Sequence, residues 1–152
     1  GAAETKKLNG EDTWVYTLHG DGELQEGQIW EAAMYAAHNK MDNILSFVDC
    51  NGQQIDGPCD EVLSLSDLSG KFKAFGWHVM ECDGHDLNDL QRVIDEAHSR
   101  RGSGVPCIVL MITAMGKGVD FMEGTHKWHG VAPNDDQLAD ALSQLEETLG
   151  DY

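Results

Sequence analysis

Residues 14–52 read WVYTLHGDGELQEGQIWEAAMYAAHNKMDNILSFVDCNG, and this stretch decides the fold class. Two short runs, Trp14–Leu18 and Ile44–Val48, have the apolar, aromatic and β-branched character of strands. The first run leads into a His-Gly-Asp-Gly-Glu segment and the second into an Asp-Cys-Asn-Gly segment. Between them, Gln28–Lys40 places small and apolar residues at helical spacing. The pattern therefore predicts a strand, a helix and a strand, with a polar segment at the carboxyl end of each strand.

The rest of the chain continues this alternation of strands and helices. After a loop at Asn51–Pro58, the pattern predicts a helix at Leu65–Phe75, capped by Ser64 or Ser66 and ended by Gly76, and then a strand at Trp77–Cys82. A second helix follows, capped by Asp86 and ended by Gly102, and then a strand at Cys107–Thr113 and a loop at Met115–Val131. The last predicted helix opens with a capping box of Asn134 and Gln137 and extends through Leu149. Four strand-then-helix units predict an α/β domain, with a parallel sheet and helices on both faces. The strand at Cys107–Thr113 is almost entirely apolar, which predicts a central position buried on both faces.

The composition favours one intracellular domain without nucleic-acid or membrane partners. With 152 residues the chain fits a single domain, residues 1–152. Its formal net charge of −17 disfavours nucleic acid and anionic membranes. The four cysteines form no Cys-x-x-Cys pair, and no apolar stretch approaches the roughly 20 residues of a membrane helix. We therefore expect free thiols and a cytoplasmic location.

Asp21 and Asn51 are the leading candidate ligands. Each follows a predicted strand, and open α/β sheets bind ligands at the carboxyl ends of their strands. Carboxylate and amide oxygens suit Mg²⁺ or Ca²⁺, and the neighbouring glycines let backbone N–H groups approach a phosphate closely. The alternatives are a turn aspartate and a solvated asparagine in left-handed geometry before Gly52. The pairing favours a metal-bridged diphosphate site over both.

The amino-acid sequence of these segments resembles that of a known family. Gly20-Asp-Gly22, followed by 27 residues before Cys50-Asn51, resembles the thiamine diphosphate signature. The longer stretch Gly20–Ala33 resembles the transketolase family, especially the amino-terminal subunits of split transketolases. Further matching segments are Asn51–Gly57, Phe75–His78, Asp83–His85, Gly116–Gly118 and Trp128–Gly130. The resemblance covers nearly the whole chain and implies the diphosphate-binding domain of the family, shortened at its amino terminus.

The resemblance also implies site residues. It implies thiamine diphosphate as the cofactor, contacted by Gly20, Asp21, Gly22, Asn51, Gln53, Ile55 and His129, with the metal held by Asp21, Asn51 and the carbonyl of Gln53. His129 would donate a hydrogen bond or move a proton near the substrate, and Glu26 would join a network between two active sites at a subunit interface. Alternatives are a plain turn role for Gly22, a core or loop anchor at Ile55, and a helix-dipole role for Glu26.

By the same resemblance, the chain is part of a transketolase (EC 2.2.1.1), a transferase of the pentose phosphate pathway. Such an enzyme moves a two-carbon ketol unit between ketose and aldose phosphates. A pyrimidine-binding domain or subunit would complete the site across a homo- or hetero-oligomer interface, as in a dimer, so we expect the isolated chain to be inactive. The rival hypotheses are deoxyxylulose-phosphate synthase, the E1 α subunit of a 2-oxo acid dehydrogenase, a non-catalytic assembly module and a flavodoxin-like domain.

Overall fold

A computed structural model describes residues 1–146 of the chain. The strands are β1 (Val15–Gly20), β2 (Ile44–Cys50), β3 (Gln53–Gln54), β4 (Gly57–Pro58), β5 (His78–Asp83) and β6 (Cys107–Ile112), and the helices are α1 (Ala2–Leu8), α2 (Gly27–His38), α3 (Cys59–Leu63), α4 (Leu68–Ala74), α5 (Leu87–Ser99) and α6 (Asp135–Gln144). Short 3₁₀ turns occupy Gly22–Gln25 and His126–Trp128. Within residues 1–146 no helix is long and apolar enough to cross a membrane.

The main sheet is parallel, with the strand order β1-β2-β6-β5. Gly20 pairs with Asp49, and Asp49 in turn pairs with Met111, so β1, β2 and β6 end at the same edge. The central position of β6 confirms the prediction from its apolar run, because Cys107–Leu110 are all buried. This arrangement brings the polar segments after three strands to one edge of the sheet.

Helices cover both faces of the sheet, as the α/β prediction requires. On one face Val48, Ile108 and Leu110 pack with Ala33 of α2 and Phe72 of α4. The opposite face is covered by α5; its core residues are Leu45, Met80, Cys107 and Val109 from the sheet and Val93 and Ala97 from the helix. Alternate residues of one strand enter different cores because successive side chains point to opposite faces.

Two predictions in the middle of the chain are wrong. The Asn51–Pro58 loop contains an antiparallel hairpin formed by β3 and β4. The helix predicted at Leu65–Phe75 is present as α4 but begins three residues later, at Leu68, and a separate short helix that was not predicted, α3, precedes it. Asp67 caps α4 by accepting the N–H of Gly70 at 2.7 Å, so neither Ser64 nor Ser66 is its N-cap. The carboxylate of Asp67 breaks the helical pattern because it competes for the backbone N–H groups.

Other boundaries agree with the sequence pattern. Asp86 caps α5, Gly76 follows α4 at φ +88°, and Asn134 with Gln137 forms the predicted capping box of α6. This helix ends at Gln144, earlier than predicted, and Leu149 lies outside the described residues. The predicted loop at Met115–Val131 includes the short 3₁₀ turn but no other helix or strand.

Candidate functional site

The carboxylate of Asp21 joins the two polar segments. It is 6% exposed and directly follows β1. Its Oδ1 accepts the N–H of Gly22 at 2.8 Å, and its Oδ2 accepts the N–H of Gly52 at 2.6 Å. The N–H of Asp21 donates to the carbonyl of Asp49 at 3.1 Å, which continues the pairing of β1 with β2. Because Gly52 is bonded to Asn51, the two predicted ligands belong to one hydrogen-bonded unit.

Cys59 supplies a third donor to this carboxylate. Its Sγ lies 3.4 Å from Asp21 Oδ1 and donates to it. Burial, followed by the nearby Asp21 carboxylate, raises the pKa of Cys59 to about 11. The same two causes raise the pKa of Cys50 to about 12. Both thiols are therefore protonated at neutral pH, and the thiol of Cys59 can act as a donor.

These thiols predict a loss of stability at alkaline pH. The folded state keeps protons that the unfolded state releases above the ordinary thiol pKa of 9.0. Their contribution is complete below pH 9.0 and is lost as the pH rises toward 11 and 12. We expect Cys59→Ser to make the alkaline decrease in unfolding free energy shallower, because a serine hydroxyl does not titrate there. Urea unfolding from pH 7 to about pH 11 measures this, and identical slopes for both proteins would contradict it.

The carboxamide of Asn51 has a defined orientation. Its Nδ2 donates to Asp49 Oδ2 at 3.1 Å, and its Oδ1 accepts the N–H of Gln53 at 2.8 Å. The other oxygen of Asp49 accepts the hydroxyl of Thr113. Since Nδ2 can only donate and Asp49 can only accept, the amide cannot be reversed without losing both bonds. Asp49 thus directs Oδ1 of Asn51 away from itself and toward the β3–β4 hairpin.

The donor set fits a hard divalent cation. A carboxylate or amide oxygen has two lone pairs. Asp21 Oδ2 and Asn51 Oδ1 each accept one hydrogen bond and keep one lone pair for a cation. Within the described part of the chain, no three His, Cys, Asp or Glu side chains cluster as a metal site. A cation here therefore needs oxygens beyond side-chain carboxylates, such as amide, main-chain carbonyl and phosphate oxygens.

Two cavities flank the Asn51–Gly52 segment. The first, here called the aspartate pocket, is lined by Asp21, Cys50, Gly52, Pro58, Cys59, Asp60, Leu65, Ser66 and Leu68. The second, here called the histidine cleft, is lined by Leu18, Asp49, Asn51, His85, Met111, Thr113, Ala114, Met115, Gly116 and His129. The structure therefore brings His129 into one cleft with Asn51, although 77 intervening residues separate them in sequence. Asp21 lines the aspartate pocket and not the histidine cleft.

The remaining candidate residues have different surroundings. Gly20 ends β1 with open space where a side chain would be, whereas a Cβ at Gly22 would lie 2.9 Å from the Cβ of Gln54. The N–H of Gly22 donates to Asp21, so a phosphate contact would require it to change partner. Ile55 is 69% exposed, which excludes the alternative that it anchors the core. Glu26 is exposed at the N-cap of α2 and forms no capping bond through its side chain.

Sequence reasoning missed Asp49, Thr113 and Cys59. A signal for Asp49 was present, because it precedes Asn51 by two residues on a strand and such residues share a face. Thr113 is a polar residue after an apolar strand, which marks it as a strand-end residue. Nothing in the spacing of Cys59 indicates contact with Asp21. These contacts depend on strand order and on the hairpin.

Comparison with known proteins identifies the family. Residues 3–149 match the model of the transketolase thiamine diphosphate-binding domain. The chain belongs to the transketolase family. It is 40% identical over 133 residues to the 6-deoxy-6-sulfo-D-fructose transketolase subunit SqwG of Clostridium sp. (strain MSTE9), covering 88% of this chain and 48% of that protein. It is 39% identical over 147 residues to an apulose-4-phosphate transketolase subunit of Actinobacillus succinogenes, covering 97% and 52%. The chain thus spans about half the length of these curated relatives.

Solved transketolases share the fold. The transketolase of Campylobacter jejuni superposes with a TM-score of 0.83 at 30% identity, over 94% of this chain and 22% of that one. A transketolase variant from Pichia stipitis gives a TM-score of 0.80 at 31% identity, over 88% and 19%. The α/β prediction and the transketolase resemblance are both confirmed by these comparisons.

Proposed function

We propose that this chain is the diphosphate-binding part of a split transketolase and holds thiamine diphosphate through Mg²⁺ or Ca²⁺. The observation that carries the proposal is the 2.6 Å hydrogen bond between Asp21 Oδ2 and the N–H of Gly52. It joins both halves of the signature at one sheet edge, in a chain that matches the family's thiamine diphosphate-binding domain.

The charge of the site supports a bridging cation. Asp21 and Asp49 lie at the same edge of the sheet. The chain as a whole has a formal net charge of −17. A diphosphate would be repelled by these carboxylates unless a divalent cation lay between them. We assign Asp21, Asn51 and the main-chain carbonyl of Gln53 as the protein ligands of that cation. Diphosphate oxygens and water would complete the six oxygens that Mg²⁺ prefers.

The other predicted residues receive roles in binding and proton transfer. Gly20 and Gly22 would let the diphosphate approach the backbone closely, and the exposed side chain of Ile55 would pack against the cofactor rings. His129, in the histidine cleft with Asn51, would donate a hydrogen bond to the sugar or move a proton at its hydroxyl. Glu26 would contact the partner subunit from the N-cap of α2. When bound, thiamine diphosphate supplies the nucleophilic carbon and the electron sink for ketol transfer.

The substrates we propose are sugar phosphates in a two-carbon ketol transfer, as in the pentose phosphate pathway. Two relatives are named for other ketoses, a sulfofructose and apulose 4-phosphate. A panel of acceptors and donors should therefore include these compounds beside the common pentose and hexose phosphates. The cytoplasmic location and the dimer remain predictions.

Activity is expected only with a pyrimidine-binding partner. The complete polypeptide that carries this sequence should give no ketol transfer alone and measurable transfer after the partner subunit is added. Calorimetry of the mixture should show heat from thiamine diphosphate that depends on Mg²⁺. A non-catalytic assembly module would give no metal-dependent heat with the partner present. Substantial transfer by the chain alone would contradict the need for a partner.

A further inference from the structure

His85 extends the hydrogen bonding of the sheet past the end of β6. The regular pairing of β5 with β6 ends at Asp83 and Ile112, and the N–H of Gly84 then donates to the carbonyl of Ile112 at 2.9 Å. The N–H of Ala114, two residues further along, donates to Nε2 of His85 at 2.8 Å. An imidazole nitrogen therefore takes the place of a strand carbonyl. Because an amide N–H can only donate, Nε2 is unprotonated in this bond.

The turn that carries His85 packs directly on Thr113. A Cβ added to Gly84 would lie 2.4 Å from Cγ2 of Thr113 and 3.3 Å from the carbonyl oxygen of Ile112. Glycine is therefore required for this approach. The N–H of His85 donates to Oδ1 of Asp83 at 2.9 Å, which fixes the turn on its other side. The residues after β6 are thus held from the β5 side by both packing and a hydrogen bond.

On the β2 side, Thr113 connects to the predicted metal ligand. Its N–H donates to the carbonyl of Cys50 at 3.4 Å, and its hydroxyl donates to Oδ1 of Asp49. Oδ2 of Asp49 accepts Nδ2 of Asn51 at 3.1 Å. A continuous set of contacts therefore leads from the β5 turn, through the residues after β6, to the carboxamide of Asn51.

We propose that His85 is a positioning residue for Asn51, acting through Ala114, Thr113 and Asp49. It holds the Thr113–Ala114 segment at the spacing that lets Thr113 bond to Asp49, and Asp49 fixes which atom of Asn51 faces a cation. His85 also lines the histidine cleft, but its Nε2 is engaged by Ala114. The effect on a cation rests on the proposed function, whereas the contact with Ala114 does not.

Hydrogen exchange at Ala114 tests the first part of the proposal. His85→Leu keeps a side chain of moderate size but removes the acceptor, and His85→Gln offers Oε1 as an acceptor. We expect exchange of the Ala114 amide to become about 10-fold faster in His85→Leu and to stay near the original rate in His85→Gln. His38→Leu, at an exposed histidine in the last turn of α2, is the matched control. An unchanged exchange rate of the Ala114 amide in His85→Leu would overturn the proposal that His85 holds Ala114.

Metal affinity tests the second part, in the complete protein assembled with its partner. Mn²⁺ binding in the presence of thiamine diphosphate can be followed by electron paramagnetic resonance. Substitution of a residue that orients a metal ligand commonly lowers metal affinity by about 10–100-fold. His85 contacts Asn51 only through intervening residues, so its effect should be smaller. We expect His85→Leu to weaken Mn²⁺ binding about 3–10-fold and His85→Gln to restore it.

A double-mutant cycle with Thr113→Val tests the route. Valine retains the shape of threonine but cannot donate to Asp49, so His85→Leu should cause no further loss of Mn²⁺ affinity in that background. Additive losses, or faster exchange at Ala114 without weaker Mn²⁺ binding, would overturn the action through Thr113. Failure of the unmodified assembly to bind Mn²⁺ with thiamine diphosphate would refute the proposed function and the role at Asn51. The hydrogen bond between Ala114 and His85 would still be tested by the exchange rate of the Ala114 amide.

Discussion

Replacing Asp21 with asparagine is expected to weaken the metal-dependent binding of thiamine diphosphate severely. The substitution keeps the size of the side chain but removes the negative charge. It also places an NH₂ group among donors, because Asp21 accepts the N–H groups of Gly22 and Gly52 and the thiol of Cys59. We expect the affinity measured by calorimetry with Mg²⁺ to fall by more than the 10–100-fold typical of residues that only orient a ligand.

Asp60→Asn is the matched control for this experiment. Asp60 lines the same aspartate pocket and its substitution removes the same charge, but it is exposed and its Oδ1 accepts the hydroxyl of Ser64. The control should bind within about threefold of the original protein, because an exposed charge is screened by solvent and salt. Equal losses in both variants would show that only the net charge of the pocket matters. Unchanged binding in Asp21→Asn would contradict its role as a ligand.

Phe72→Ala is expected to cause the largest loss of stability. Phe72 is 2% exposed on α4, and its ring packs edge-on against Trp77 at a centroid distance of 5.8 Å. It also contacts the ring of Trp30 from α2 at 5.2 Å. Truncation of a buried phenylalanine leaves a cavity and costs about 3–5 kcal/mol of unfolding free energy. Urea unfolding followed by tryptophan fluorescence measures this loss.

An exposed leucine provides the comparison. Leu87 is 81% exposed at the start of α5, so Leu87→Ala should change the unfolding free energy by less than about 0.5 kcal/mol. The dependence on urea concentration should stay the same in both variants, since neither alters the surface exposed on unfolding by much. A loss below about 1 kcal/mol for Phe72→Ala would show that the site collapses around the missing ring and that the aromatic cluster is not a tightly packed core.

The strands of the main sheet could be predicted within two residues at each end. Their signals are local, because the shortness of each apolar run, its β-branched and aromatic residues and the glycine or polar segment that follows it favour a strand over a helix. The caps at Asp86 and Asn134 were equally readable, since a side chain that accepts an N–H two or three residues later depends only on near neighbours. Asp67 was missed because the apolar residues on either side of it continue a helical pattern.

The hairpin β3–β4 could not be predicted from the same signals. Each of its strands has two residues, too few for any period to appear. Its position depends on contacts with the Gly22 turn, where a Cβ would meet Gln54 at 2.9 Å. When two segments that are distant in sequence approach each other closely, the only sign of it in the sequence is the glycine that the approach requires.

The sequence by itself determined the parallel α/β class, the strand-end positions of Asp21 and Asn51, and the resemblance that the family comparison confirmed. These features depend on short-range periodicity and on wording within single segments. The order β1-β2-β6-β5 was decided only by tertiary structure, and with it the meeting of Asp49, Thr113 and Asn51. Hydrogen bonds between strand ends are set by which strands become neighbours. That choice depends on burying both faces of the sheet at once, and no single segment encodes it.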